Sequence, residues 1–471
     1  MTEPLIVGAM VRTLGAYPSG WRHPGAHADP QTDAAILRRI AKLGEDAGLD
    51  YLFFGDWLAT GPDLEFRDPY LLARIDPVSA VLYLAGITER IGLIATVNTT
   101  YADPYATARA TASLDLLTGG RAGVNLVTGA EPRAAANHGR DAHADNATRY
   151  DRAEEFVHAL RLLWESWDED AWIADRLTGT LIDERGLRAP EFRGEYVRVE
   201  GPLNVARPPQ VHPPIVHAGT SDRSRALAAT EADLALIASP DLHTARETRA
   251  RLRASASASG RRPDDLKVIA PVLPVVAETG AAARVIVDRL LLLVPIHDGE
   301  SPHVERTGFP VNRSLAAFLD AADLAPDDPS RRAGVDELVA RDAAARFGEA
   351  AARTLALVEQ RTGRRVGGDF PVTWRYLIAA HAVPAAFVVG DASTVADHFE
   401  RWSDERAADG FNVLSAFQPD QFEAFTALAV PELRRRGLLG REGETLRERL
   451  GLGAPRLLHA PAGASAASLG S

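Results

Sequence analysis

The stretch that decides the fold is Ile91–Gly129, IGLIATVNTTYADPYATARATASLDLLTGGRAGVNLVTG. Two apolar runs rich in β-branched residues, 91–98 and 122–128, predict strands that end in hydroxyl and amide side chains. Between them, residues 105–117 have helical apolar spacing, with Pro104 in the first turn and a Gly-Gly pair at the end. This is one βαβ unit. Because ligands bind at the carboxyl ends of parallel strands, the polar ends are a first indication of a site.

Composition bounds the class of protein. The chain has 471 residues, of which 46% are hydrophobic and 25% charged, so it can bury a large core and is not disordered. A net charge of -12 without a basic stripe argues against nucleic acid and anionic membranes as partners. The absence of cysteine excludes disulfides, thiolate nucleophiles and cysteine-bound metal. No apolar run reaches about 20 residues and the N-terminus has no basic region, so we expect a cytoplasmic protein without signal peptide or membrane span.

The strand and helix pattern recurs along the chain, and it predicts an α/β fold of the (β/α)8 barrel type. The predicted strands are residues 5–11, 51–55, 91–98, 122–128, 215–219, 234–238, 268–276 and 411–417. A doubly wound sheet is the alternative, although no GxGxxG or GxxxxGK[ST] motif follows a strand. We expect one domain over residues 1–450, with large insertions at about 168–213, after the fourth strand and its helix, and at 293–384, after the seventh strand. Residues 451–471 form a loose tail rich in small residues.

Three polar residues near strand ends are candidates for a function. Asp56 follows a fully apolar strand, where a carboxylate must pair, accept hydrogen bonds or act chemically; a helix cap or a salt bridge is the alternative. The hydroxyl of Thr96 could point into the mouth of the barrel; the alternative is that Thr96 is present only because β-branched residues favour strands. His217 is more simply a structural residue.

The sequence Ala218–Asp222, AGTSD, carries a more specific signal. A strand that ends in glycine and turns through hydroxyls into a helix presents backbone N–H groups and the positive end of a helix dipole, which suit a phosphate. An ordinary N-cap explains the pattern equally well. Tyr150, beside Arg149 and Arg152, either donates to the same anion or lies on the surface. No HExxH, His-x-His or carboxylate triplet has ligand spacing, so we expect no metal.

Several motifs, taken in order, carry a resemblance to a known family. They are GWRHP at 20–24, FFGD at 53–56, TTY at 99–101 with PY at 104–105, LD and GR within 114–121, NLVT at 125–128, RYD with AEE at 149–155, AGTS at 218–221, DGFN at 409–412, VPEL at 430–433 and TLR at 445–447. Together the motifs, spanning about residues 5–450, resemble the flavin-dependent monooxygenases of the bacterial luciferase superfamily. The similar branch contains nitrilotriacetate, dibenzothiophene-sulfone and long-chain alkane monooxygenases.

The resemblance implies a TIM barrel that binds FMN at the carboxyl ends of its strands. A separate NAD(P)H-dependent flavin reductase would supply the cofactor as FMNH2, which reacts with O2 to a C4a-peroxyflavin that oxygenates a small organic substrate. It also implies a homodimer or homotetramer. The implied cofactor contacts are Asp56, Thr96, Asn146, Tyr150 and Ser221, completed by Thr128, Gly219 and Thr220, with Tyr150 and Ser221 near the phosphate. The implied catalytic candidates are His23, Tyr17 and His303.

The chain departs from the family pattern at several positions. Asn146 stands where the family usually has histidine, and Gly129-Ala130 where a polar pair often follows the fourth strand. The histidine expected before GWRHP is absent, leaving Gly15 or Tyr17 nearby, and Ser224 replaces a usual glycine. The identity of the acid or base is therefore open. Two alternative functions are an F420-dependent oxidoreductase with the same barrel and a flavin-binding protein without turnover.

Overall fold

Eight parallel strands and the helices around them dominate the computed structural model, which describes residues 3–60, 73–239, 241–294, 318–320, 322–382 and 386–458. The strands are β1 Ile6–Met10, β2 Tyr51–Phe54, β3 Gly92–Asn98, β4 Ala122–Val127, β5 Trp172–Asp175, β6 Thr180–Ile182, β7 Phe192–Arg193, β8 Arg198–Val199, β9 Ile215–Ala218, β10 Leu234–Leu236, β11 Lys267–Val276, β12 Ala386–Gly390 and β13 Gly410–Leu414.

The helices follow the strands in the alternation expected of a barrel. They are α1 Asp33–Asp46, α2 Pro77–Ala85, α3 Pro104–Thr118, α4 Ala134–Asn137, α5 Asn146–Trp164, α6 Asp222–Glu231, α7 Leu242–Ala258, α8 Gly280–Leu293, α9 Arg341–Ala344, α10 Glu349–Thr362, α11 Trp374–Ala382, α12 Ala392–Asp404, α13 Asp420–Ala424, α14 Val430–Arg435 and α15 Leu446–Arg449. Among the described residues, no helix is both long enough and apolar enough to cross a bilayer.

The barrel is closed by parallel pairing in the order β10-β9-β4-β3-β2-β1-β13-β11, with β11 returning to β10. The predicted (β/α)8 barrel is therefore confirmed. Each of the eight predicted strands is a barrel strand, and the ends differ from the prediction by at most three residues. The hydrophobic pattern of the sequence predicts these strands well because strands buried on both faces are continuous apolar runs, and these runs alternate with segments of helical apolar spacing.

A ninth strand, β12, pairs with the outer part of β11 and is not among the predicted strands. The ten-residue β11 pairs with β13 through Ile269–Val272 and with β12 through Val272–Val276. A strand of that length outgrows its barrel neighbour, so its second half is free to bind another strand. This pairing joins β12 to the barrel at the carboxyl end of β11.

The barrel interior is filled by a cluster of apolar residues that alternate along the strands, and it is closed at its amino-terminal end by the C-terminal segment. Leu446, Leu450 and Leu452 pack in the same cluster as Ile6 of β1 and Ile94 of β3. The amide of Leu446 donates to the carbonyl of Gly120, 2.8 Å away. A Cβ atom on Gly92, the first residue of β3, would lie 2.5 Å from Leu446 Cδ1, so glycine is needed where the C-terminal segment packs against β3.

Two helices have features that bear on the site and on the end of the barrel. Helix α5 begins at Asn146, because Asp145 caps it by accepting from the amide of Thr148 at 2.8 Å; Asn146 is thus a helix residue. Between α13 and α14 the chain forms a π-helical turn, Phe425–Ala429, just before Pro431. Proline lacks an N–H and its ring crowds the preceding turn, and a π turn relieves both conflicts.

The segment 168–213 forms two short hairpins, β5–β6 and β7–β8, of which the second is anchored to α5. The Glu155 carboxylate accepts from the amides of Glu195, Tyr196 and Val197 at 2.8 to 2.9 Å. Arg152 donates to the carbonyl of Tyr196 at 2.7 Å. The insertion is thereby fixed to the helix that carries Tyr150.

The division into one domain, two insertions and a tail stays a prediction. Helices α9 to α11 lie in the second predicted insertion, 293–384. Residues 295–317, which include His303, and residues 459–471 of the predicted tail lie outside the described part of the chain.

Candidate active site

A cavity of about 370 Å³ opens where several barrel strands end. Its walls come from the segments that follow β2, β3, β4 and β9 and from the first turns of α5. The lining residues are Asp56, Trp57, Leu58, Asn98, Val127, Thr128, Gly129, Ala130, Glu131, Ala134, Asn146, Arg149, Tyr150, Ala218, Gly219, Thr220 and Ser221. Strand ends that are far apart in sequence thus meet in one bowl, as the polar strand ends predict.

Ser221 forms one wall of the cavity as the N-cap of α6. Its backbone is extended, with φ -70° and ψ 162°, and its Oγ accepts from the amide of Ser224 at 3.1 Å. Because Oγ is the acceptor in that bond, its own O–H remains available to donate into the cavity. The positive end of the α6 dipole lies at the same place.

Tyr150 lies opposite this turn, one turn into α5. Its ring is buried, with 6% exposure, and stands edge-on to His217 with centroids 6.2 Å apart. The hydroxyl makes no hydrogen bond to any described residue. A buried ring whose hydroxyl faces a cavity is suited to donate to a ligand there.

His217 is buried next to the cavity, where it contacts the Tyr150 ring and the hydroxyl of Ser224. Its Nδ1 lies 2.6 Å from the carbonyl oxygen of Leu126, and its Nε2 lies 2.9 Å from Oγ of Ser224. Burial lowers the pKa of His217, so the ring is neutral at physiological pH. With both nitrogens engaged, His217 has the structural role that the sequence suggests.

Arg149 connects the end of β4 to the start of α5. Its guanidinium donates to the carbonyl of Gly129, to Oγ1 of Thr128 at 3.4 Å and to Oδ1 of Asn146 at 3.4 Å. The carboxamide of Asn146 therefore accepts through oxygen and keeps its N–H2 for a ligand. Arg149 brings a positive charge to the cavity wall.

Asp56 provides the carboxylate of the cavity. Its Oδ1 accepts from the amide of Trp57 at 2.8 Å, so it is not the cap of a helix. Burial raises the pKa of Asp56, while the Trp57 N–H and the nearby Arg74 oppose the rise. Nε1 of Trp57 is buried without a hydrogen-bond partner in the described structure. Both groups therefore have unused polar capacity beside the cavity.

The structure brings most of the predicted cofactor residues together around this cavity. They are Asp56, Thr128, Asn146, Tyr150, Gly219, Thr220 and Ser221. Thr96 is the exception. It is 3% exposed and its Oγ1 accepts from Nδ2 of Asn125 at 2.9 Å. Because alternate strand residues share a face, Asn98 of the same strand takes the lining position and Thr96 lies one step deeper.

The predicted catalytic residues Tyr17 and His23 do not line the cavity. Both pack against the segment after β13: the Tyr17 amide donates to the Ala416 carbonyl at 3.2 Å, and the His23 ring stacks on Phe417 with centroids 3.9 Å apart. Burial raises the pKa of Tyr17, and burial together with Arg289 lowers that of His23. Their catalytic role stays a prediction, as does that of His303.

Sequence reasoning missed an aromatic cluster formed by Tyr101 and the loop before α5. The Tyr101 hydroxyl lies 2.8 Å from Nδ1 of His143, the His138 ring stacks on the Tyr101 ring at 4.3 Å, and the Arg140 guanidinium lies 5.2 Å from that ring. Trp57, Leu58, Asn98, Val127, Glu131 and Ala134 were also missed as lining residues. All of these except Ala134 lie at the end of a barrel strand or within a few residues of it, and that position is the signal by which sequence reasoning could have found them.

Among the described residues, no group of three or more His, Cys, Asp or Glu side chains is arranged to hold a metal ion. The cavity therefore offers hydroxyls, amides, one guanidinium and two carboxylates, Asp56 and Glu131, as its polar groups. Such a set suits an organic ligand that carries both an anionic and a neutral polar part.

Comparison with known proteins gives the family. The profile of the luciferase-like monooxygenases matches residues 17–409. N-acetyl-S-(2-succino)cysteine monooxygenase of Bacillus subtilis (strain 168) is 33% identical over 451 residues, which cover 95% of this chain and 97% of that protein. The chain belongs to the luciferase-like monooxygenase family.

Other relatives of this luciferase-like monooxygenase agree. Nitrilotriacetate monooxygenase component A of Aminobacter aminovorans is 33% identical, covering 96% of this chain and 97% of that protein. Dibenzothiophene-sulfone monooxygenase of Rhodococcus erythropolis is 35% identical, covering 94% of each chain. The predicted branch and monooxygenase activity are confirmed.

Solved structures show the same relationship. DmoA from Hyphomicrobium sulfonivorans has a TM-score of 0.76 at 27% identity, covering 95% of this chain and 92% of that one. The riboflavin lyase RcaE, solved with modified FMN and riboflavin, has a TM-score of 0.75 at 29% identity, covering 95% and 96%. An F420-dependent tetrahydromethanopterin reductase from Methanopyrus kandleri, at 15% identity and a TM-score of 0.53, shares the fold alone. The monooxygenase is thus supported over the F420 alternative.

Proposed function

We propose that this luciferase-like monooxygenase binds reduced FMN in the cavity and uses it with O2 to oxygenate a small organic substrate. One observation carries the proposal: the hydroxyls of Ser221 and Tyr150 line the same cavity beside the amino-terminal turns of α6 and α5. Two helix N-termini and two hydroxyl donors together favour a phosphate group.

The remaining lining supports FMN as the ligand. Ser221 and Tyr150 would hold the phosphate, with the positive charge of Arg149 nearby. Position 219 accommodates only glycine beside Ser224, because a Cβ atom there would lie 2.1 Å from Oγ of Ser224. Asp56, Thr128 and Asn146 would contact the other polar groups of the cofactor. This distribution matches a molecule with a phosphorylated tail and a polar ring system.

The reduced flavin, when bound, supplies the reaction with dioxygen. The chain itself binds and orients the cofactor and limits the access of water through the apolar lining of Trp57, Leu58 and Val127. The carboxyl of Asp56 binds a proton at higher pH than an exposed aspartate does, because burial raises its pKa. Asp56 is therefore the group in this cavity that we assign to proton exchange.

We also propose two kinds of partner. A separate NAD(P)H-dependent flavin reductase supplies FMNH2, which fits the naming of the Aminobacter relative as component A of its monooxygenase. Copies of this chain associate as a homodimer or homotetramer; the exposed apolar side chains Leu82 of α2 and Leu117 of α3, at 44% and 77% exposure, support an association surface. Light scattering of the purified protein tests the second point.

The deciding experiment is an anaerobic titration of the purified full-length protein with chemically reduced FMN, with F420 in parallel. We expect saturable binding of reduced FMN and weaker binding of F420. Mixing the complex with oxygen in the presence of sulfones, aminopolycarboxylates, alkanes or cyclic ketones should then consume oxygen and form an oxygenated product. No affinity for flavin would refute the proposal. Flavin binding with immediate reoxidation and no product from any substrate class would identify a flavin-binding protein without turnover.

A further inference from the structure

A second cavity of about 160 Å³ adjoins the candidate flavin cavity at Gly219 and Thr220, which line both. It lies at the carboxyl ends of β9 and β10, beside α6 and α7. Its base is apolar, formed among others by Ala228, Ala235 and Leu252. Its polar groups come from the strand ends and from the facing sides of the two helices.

Three of the hydroxyls that line this second cavity, those of Ser239, Thr220 and Thr248, make no hydrogen bond within the described chain. Ser239 is 2% exposed, and its hydroxyl makes no hydrogen bond to any described residue. The side chains of Thr220 and Thr248 likewise bind no other residue in the described chain. Because Ser239 lines the cavity and its hydroxyl has no partner in the described chain, that hydroxyl is available to donate to a ligand there.

Two arginines, Arg225 and Arg251, line the same cavity as these hydroxyls. Arg251 of α7 lines the cavity and has no ion pair with any described residue. Arg225 of α6 also lines it and pairs with Asp222 at 2.7 Å. The described lining contains no carboxylate. The nearby Asp241 is engaged in capping α7, where it accepts from the amide and hydroxyl of Thr244 at 2.9 and 2.8 Å.

We propose that the second cavity binds a phosphate group other than the FMN phosphate that Ser221 and Tyr150 would hold. A guanidinium with hydroxyl donors around it is the arrangement that proteins use for phosphate, and Arg251 supplies a charge that nothing else in the described chain neutralises. The phosphate is either free inorganic phosphate or the additional phosphate of a dinucleotide such as FAD. Because Thr220 lies between the two cavities, occupation of the second one also fixes the wall of the first.

The test is calorimetric titration of the full-length protein with inorganic phosphate. It is carried out on the wild type and on the double variant Ser221→Ala/Tyr150→Phe, in which the candidate flavin phosphate site is removed. We expect saturable binding that persists in the double variant. Arg251→Ala should weaken it by about tenfold or more and Ser239→Ala by about fivefold, as expected for a charged and a neutral hydrogen bond.

Arg246→Ala is the matched control, since Arg246 lies on the same helix, is 51% exposed and is not part of the cavity. It should leave phosphate affinity unchanged. The inference is overturned by an absence of saturable binding, by binding that Arg251→Ala and Ser239→Ala leave intact, or by binding that disappears in the double variant. These results are independent of whether reduced FMN binds, so failure of the proposed function remains distinguishable.

Comparing FAD with FMN identifies the source of the phosphate. If Arg251→Ala weakens the binding of FAD and not of FMN, the site takes the second phosphate of a dinucleotide. If both flavins bind Arg251→Ala as they bind the wild type, while inorganic phosphate binds it more weakly, the site takes free phosphate. Either result supports the second site.

Discussion

The hydroxyl oxygen of Tyr150 lies 3.6 Å from the point at which Gly219 would carry a Cβ atom. The same point lies 2.1 Å from Oγ of Ser224, which is bonded to His217. Gly219→Ala must therefore displace the turn that faces Tyr150, and we expect flavin affinity to fall by about tenfold or more. Gly86→Ala, where a Cβ atom meets nothing within 4 Å, should leave flavin affinity unchanged. Fluorescence titration measures both variants, and equal affinities would show that this turn does not contact the cofactor.

The two hydroxyls proposed for the flavin phosphate can be removed separately and together. Ser221→Ala and Tyr150→Phe should each weaken flavin binding by about 1 kcal/mol, and the double variant by roughly 2 kcal/mol, since each loses a hydrogen bond to a charged group. Tyr105→Phe is the control, because that hydroxyl bonds Asn204 at 3.1 Å, outside the cavity. An unchanged dissociation constant in the double variant would place the phosphate elsewhere.

Asp115 gives a prediction for the pH dependence of stability. Its carboxyl is fully buried, and burial raises its pKa to about 6, although it accepts from Gln210 and from the amide of Ala122. The folded state therefore holds this proton more tightly than the unfolded chain, whose aspartate has a pKa near 3.8. Asp115 therefore stabilises the folded state most at a pH below 3.8. As the pH rises from there to about 6, the free energy of unfolding falls by roughly 3 kcal/mol.

Urea unfolding between pH 4 and pH 7 tests this prediction. The free energy of unfolding should fall by about 3 kcal/mol more in the wild type than in Asp115→Asn, which does not titrate. Asp342→Asn, at a side chain that is 83% exposed, should keep the wild-type profile. Parallel profiles for wild type and Asp115→Asn would mean that this carboxyl does not titrate in that range.

Glu155 should control the order of the β7–β8 hairpin. Its carboxylate accepts from three consecutive amides, Glu195 to Val197, and Glu155→Gln replaces one acceptor oxygen with a donor. We expect protection of these amides from hydrogen exchange to fall by about 1–3 kcal/mol. Glu154→Gln, whose side chain is 52% exposed, is the control. Unchanged exchange at residues 195–197 would show that other contacts hold the hairpin.

Local signals predict the barrel and much of the candidate site. The alternation in 91–129 fixes a βαβ unit because strand and helix periods differ, and Ser221 is recognisable as a cap because capping is a local interaction. Asp145 carries the same kind of signal for α5, because it lies three residues before Thr148, whose amide it accepts from. What decides these features lies within a few residues of sequence.

Features that depend on contacts between segments distant in sequence could not be predicted from local patterns. The pairing of β12 depends on how far β11 extends beyond its barrel neighbour, which no local pattern records. The depth of Thr96 depends on the tilt and stagger of the strands, since Asn98 on the same face takes the lining position. Tyr17 contacts Ala416 and His23 contacts Phe417 only through the closure of the barrel, so their motif could not reveal that neither residue lines the cavity.

The C-terminal segment that closes the barrel has a consequence for how the protein folds. Leu446, Leu450 and Leu452 pack in one cluster with Ile6, which lies far from them in the sequence. Contacts between segments so distant along the chain require a large loop to close, and the entropy of that closure opposes their formation. We therefore expect this end of the barrel to be completed late in folding, after the strand pairs that are nearer in sequence.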